Sequence, residues 1–128
     1  MALSPAFASV PRVGATTVAT ANTARDGTGT VATVITAGSS GTQIREIDVK
    51  ALGTTAAANV VLFVYDGTTY SPLTEVAVTA ITASTTTQSY SSSVRWDNLY
   101  IPSGWSIVAS VTVAQSPAIA VIALGADL

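Results

Sequence analysis

Apolar and polar positions alternate with a period of two along most of this chain. Between residues 43 and 52, Ile47, Val49 and Ala51 fall on one side and Glu46, Asp48 and Lys50 on the other. This is the pattern of a strand with one wet face. Ile44 is out of phase with them, which predicts a bulge near Arg45. In residues 105–113 the odd positions from Trp105 to Val113 are apolar and the even ones mostly Ser or Thr. From Gln88 to Trp96, Tyr90, Ser92, Val94 and Trp96 share a face opposite Ser89, Ser91, Ser93 and Arg95. Two runs, Val60 to Tyr65 and Ala118 to Leu124, are apolar on both faces and read as buried strands. Further strands are predicted at 16–21, 31–36 and 75–82.

Turn chemistry separates these segments. Arg25-Asp26-Gly27-Thr28-Gly29, Gly38-Ser39-Ser40-Gly41 and Ile101-Pro102-Ser103-Gly104 supply residues suited to tight turns. Asp66-Gly67 is the strongest hairpin signal. As a two-residue turn it would pair Tyr65 with Thr68 and Phe63 with Tyr70, and Pro72 would end that arm. The only helix-friendly stretch, Thr54 to Asn59, is short. About eight strands without a long helix predict an all-β fold, an antiparallel β-sandwich of jelly-roll-like form. Residues 1–14, broken by Pro5 and Pro11, read as an extended N-terminal arm or a frayed terminus. Residues 15–128 read as a single β-sandwich domain.

Composition narrows the chemistry. The 128 residues include no Cys and no His, which excludes disulfides, thiolate sites and the commonest general base. Charged residues make up 9% of the chain, against roughly 25% in an average soluble domain. With five basic residues and a net charge of −2, nothing predicts a nucleic-acid surface. Ser and Thr, 34 residues together, supply polarity instead. Such a surface fits either cover by neighbours in an assembly or a monomer with a Thr-rich sheet. No apolar run approaches the ~20 residues of a spanning helix, and the N-terminus lacks a basic signal-peptide region. Synthesis in the cytoplasm, without membrane association, is therefore expected.

No catalytic, cofactor or metal site is predicted. Lys50 is the only lysine and no serine is marked as its partner. The Gly-rich turn at 27–29 is not followed by the Lys-Ser/Thr of a phosphate loop. Asp26, Glu46, Asp48, Asp66 and Asp97 form no calcium-loop pattern. Trp96, Tyr100 and Trp105 flank one turn and could form a sugar platform or plug the sandwich. The candidate partner contacts are Phe7 and Arg12 in the arm, with Trp96 and Tyr100.

Several words of the sequence carry a resemblance. ANTARDGTGTVATVITAGSSGTQIREIDVKALGTT (21–55), LFVYDGTTY (62–70), EVAVTAIT (75–82) and IPSGW (101–105) resemble, in order and spacing, a family of small structural proteins of tailed bacteriophages. The resemblance covers nearly the whole chain. The final SVTVAQSPAIAVIALGADL departs from it in being more apolar and less charged. The resemblance implies a virion component, first of all a capsid decoration (cement) protein on the head surface. Its partner would be the major capsid protein. A homo-oligomer is expected, a trimer suiting local three-fold positions. A tail, neck or fibre module and a carbohydrate-binding attachment module are the alternatives.

Overall fold

The alternation resolves into eight strands in a computed structural model that describes residues 10–128. They are β1 (Val10–Val18), β2 (Ala32–Thr36), β3 (Thr42–Ala51), β4 (Ala58–Tyr65), β5 (Tyr70–Val78), β6 (Ser91–Ile101), β7 (Ser106–Val111) and β8 (Ile119–Asp127). They form two four-stranded sheets, β1-β8-β3-β6 and β2-β7-β4-β5, and every named pairing is antiparallel. The all-β sandwich expectation is borne out, with no helix among the described residues. The pairings are nested, β1 with β8, β2 with β7, β3 with β6 and β4 with β5.

The main core lies between the sheets. From the first sheet it takes Ile44, Ile47, Val49, Ile119, Val121 and Ala123, and from the second Val60, Leu62, Ile107, Ala109 and Val111, all fully buried. Each such Ile, Leu or Val side chain contributes roughly 1.5–3 kcal/mol by leaving water. The predicted bulge is present: β3 slips between Ile44 and Glu46 against both neighbours.

A second, smaller core lies on the outer face of the β2-β7-β4-β5 sheet. Val61, Phe63 and Val108 are buried there, with Val31, Tyr65 and Tyr70 packed around them. The connection between β1 and β2 covers this face. It leaves β1 at Ala19, bridges Ala21 to Val111, and sets Gly27 against the Tyr70 ring. Asn22 holds the segment in shape, donating from Nδ2 to the carbonyls of Thr28 (2.9 Å) and Thr30 (2.8 Å). Arg25 reaches Glu75 on β5 with bonds of 2.9 and 3.0 Å. Ser106 and Ser110, at even positions of β7, are buried.

Three local expectations are corrected. The first strand runs from Val10 to Val18, not from 16 to 21, so residues 10–14 belong to the sheet rather than to an arm. Proline is tolerated there because an edge strand has one side whose amides need no partner. The hairpin loop holds four residues, Asp66 to Thr69, and pairs Tyr65 with Tyr70. The Asp66 carboxylate accepts the amides of Thr68 (2.8 Å) and Thr69 (2.7 Å), which favours the longer loop. Tyr65 and Tyr70 then stack at 4.2 Å, while Phe63 meets Tyr70 edge-on at 6.2 Å. Pro72 lies inside β5, an edge strand, opposite Phe63 and beside a register shift.

Candidate functional site

The predicted contact residues do not form one site. Phe7 lies outside the described residues. Arg12 sits within β1 and is engaged internally. Its guanidinium donates to both Asp127 oxygens (2.9 and 3.0 Å) and to the Thr36 carbonyl (2.8 Å). Asp127 also accepts the Thr42 hydroxyl at 2.6 Å. That hydroxyl bond first, and Arg12 second, hold the Asp127 carboxyl below the usual carboxylate range. Arg12 thus fastens β1 and β8 to the end of β2.

Trp96 and Tyr100 both lie on β6, on opposite sides. Opposite β3, residues 96–98 of β6 face only Arg45. This slip reverses the alternation. Trp96 packs against the main core, whereas Tyr100 is 52% exposed. The two do not make a shared sugar platform.

The slip opens a shallow groove of about 260 Å³ lined by Arg45, Glu46, Arg95, Trp96 and Asp97. Arg95 Nε bonds Glu46 Oε1 at 2.5 Å. That bond lowers the Glu46 pKa. Asp48, two positions along the same face, is pushed up, by burial and then by the Glu46 carboxylate. Arg45 is exposed and engages no side chain or carbonyl among the described residues. The groove can hold a polar ligand by hydrogen bonds, but it contains no paired nucleophile and base. No group of three metal-ligating side chains occurs among the described residues.

A cleft of about 170 Å³ lies where β1 ends, lined by residues 17–20, 30–32 and 109–111. Ser110 borders it, and its Oγ is the single buried side-chain polar atom without a partner among the described residues.

An uncharged surface lies on the outer face of β1 and β8. Register places Pro11, Val13, Ala15 and Thr17 of β1 beside Ala126, Leu124, Ile122 and Ala120 of β8. No charged side chain is among them. Val13 is 66% exposed, and Ile122 and Leu124 are half-buried. On the same sheet face the charges lie toward the other edge, on Glu46, Asp48, Lys50 and Arg95. The sequence signal for this surface was the doubly apolar run in β8. Its partner strand was obscured because Pro11 suggested an arm.

The words that carry the phage resemblance occupy structural positions. Arg25 and Gly27 of the first lie on Glu75 and on Tyr70 of the hairpin. IPSGW forms the turn between β6 and β7, closed by the Trp105 amide on the Pro102 carbonyl at 3.1 Å. Comparison of the chain with protein-family models, curated proteins and solved structures returned no match.

Proposed function

We propose that this chain is a non-enzymatic structural protein of a tailed-phage virion, and specifically a decoration (cement) protein. It would bind the major capsid protein on the outer surface of the head and stabilise the shell, after synthesis in the host cytoplasm. The observation that carries this reading is the uncharged outer face of β1 and β8. The sandwich covers one outer sheet face with its own connection, and no described segment crosses this apolar one. Exposed apolar surface of this kind marks interaction sites. The family resemblance supplies the virion setting.

A decoration protein holds through interfaces of about 800 Å² per partner, repeated over the lattice. Contacts made by this face would be insensitive to ionic strength, because there is little charge to screen. The test is binding of purified chain to undecorated expanded heads, followed by cryo-electron microscopy. We expect saturable binding at a copy number comparable to the major capsid protein, retained in high salt and lost in Val13→Asp and Ile122→Asp. Release by moderate salt, or density confined to the tail, neck or fibres, would overturn the capsid assignment.

The bulge groove supports a second reading, a carbohydrate-binding attachment module using Arg45 and the rim of Trp96. It predicts glycan-array signals that vanish in Arg45→Ala while the fold is retained.

A further inference from the structure

We propose that two copies of this chain associate through the edge of β1 that no described strand pairs, antiparallel about a two-fold axis. The two β1-β8-β3-β6 sheets then continue as one. This gives the homo-oligomer a specific surface, and it does not depend on the capsid assignment.

The inference starts from the four sheet edges. Strand edges expose unpaired backbone groups, and proteins blunt them with short strands, bulges, prolines or charges. β2 is five residues long and shifts register between Thr33 and Ile35. β5 carries Pro72, a register shift and the Arg25–Glu75 ion pair. β6 carries the slip at 96–98 with Arg95 and Asp97 beside it. β1 is nine residues long and regularly paired to β8 over its whole length. Its one charge, Arg12, is bound to Asp127 and Thr36. Only Pro11 interrupts its edge.

Proline fixes which groups point outward. Pro11 has no amide to give β8, so its backbone faces the free edge. In an antiparallel strand both polar groups of a residue point the same way and the direction alternates. Val13, Ala15 and Thr17 therefore present amide and carbonyl to the outside. A two-fold axis through Ala15 pairs Val13 with Thr17 of the second copy, and Ala15 with its counterpart. About six backbone hydrogen bonds result.

A second copy suits this edge because the edge is self-complementary. Neutral side chains meet neutral side chains, and no charge opposes its like. The joined strands also place the two uncharged outer faces side by side, extending the apolar surface across β8, β1 and their counterparts. A five-residue pairing spans only about 17 Å, less than a standard interface needs. The dimer should therefore dissociate in the micromolar range, on the order of −8 kcal/mol. An isologous edge closes at two copies, so this contact makes a dimer rather than the trimer that a local three-fold position would suit.

The test is sedimentation equilibrium of the full chain across a dilution series bracketing the micromolar range. Two variants accompany it. Ala15→Pro removes an outward amide and leaves the pairing to β8 intact, as Pro11 does. Val13→Lys places a charge beside the axis. The wild type should show a monomer–dimer equilibrium insensitive to salt, with amide exchange at Val13, Ala15 and Thr17 slowing as concentration rises. Both variants should be monomeric with unchanged circular dichroism. If Ala15→Pro does not fold, Val13→Lys and the exchange data decide. A wild type that stays monomeric, a dimer that survives both substitutions, or a trimer with those amides unprotected would overturn the proposal. Dimers that fail to bind heads would sink the capsid reading and leave this one standing.

Discussion

Arg12 and Asp127 stand 115 positions apart and share two hydrogen bonds, of 2.9 and 3.0 Å. They join the first described strand to the last. Asp127 also accepts the Thr42 hydroxyl, and Arg12 donates to the Thr36 carbonyl, so the pair connects four strands at one end of the sandwich. Removing either partner strands the other's hydrogen bonds in a half-buried place. Arg12→Ala and Asp127→Ala should each lower Tm by several degrees, and the double variant by little more than the worse single one. Thermal melts of the three proteins check this; additive losses would show that the two residues act independently.

Acid should act through carboxylates whose pKa values are shifted in opposite directions. Hydrogen bonds lower Asp26, Glu46, Asp66, Glu75 and Asp127, chiefly from Thr28, Arg95, Thr69, Arg25 and Thr42 respectively. Their stabilisation is fully present above the unfolded carboxylate values of about 4 and is lost as pH falls through the lowered folded ones. Asp48 is raised, by burial and then by Glu46. Its ionised form costs stability at neutral pH, and that cost fades as pH falls through its raised value. Melting as a function of pH should show Asp48→Asn at least as stable as wild type at neutral pH, the advantage shrinking in mild acid. A destabilised Asp48→Asn at neutral pH would contradict this sign.

Gly27 and Gly67 offer a matched comparison. Both have positive φ, +89° and +100°. A Cβ at 27 would lie 2.2 Å from Tyr70 Cγ, whereas nothing lies within 4 Å at 67. Ala at 67 should cost about 1 kcal/mol for the left-handed backbone alone. Ala at 27 should cost about 1–3 kcal/mol more, because the segment over the second core must lift off Tyr70. Chemical denaturation measures both, and equal costs would mean that the Gly27–Tyr70 contact contributes nothing.

The second core has its own signature. Phe63 is fully buried beneath the segment at 19–31. Phe63→Ala should cost about 3–5 kcal/mol, as a main-core truncation does. Ser110→Ala removes a buried hydroxyl that has no partner, so it should be neutral or stabilising by up to about 1 kcal/mol. A loss of more than that would mean that a bound water or ligand engages the hydroxyl.

Much of the fold was legible because strand and turn signals are local. The bulge at Arg45 showed as one residue out of phase. Val60 to Tyr65 was readable as a doubly buried strand from its unbroken apolar run. The hairpin loop differs from the expectation because Asp66-Gly67 favours a two-residue turn, while the Asp66 carboxylate caps two amides beyond it. Local sequence makes Arg12 a candidate partner contact in an arm, because Asp127, which it binds, lies at the other end of the chain. Spacing alone groups Trp96 with Tyr100, but the slip in β6 turns them to opposite sides.

By itself the sequence determined an all-β sandwich and where its turns fall, since period-two alternation and turn-forming residues act over a few positions. It also marked β4 and β8 as apolar on both faces. Only the tertiary structure decided that β4 has both faces covered by the chain while the outer face of β8 stays partly open beside β1. Coverage depends on where a distant segment is carried: residues 19–31 cross the other sheet, and no described segment crosses this one.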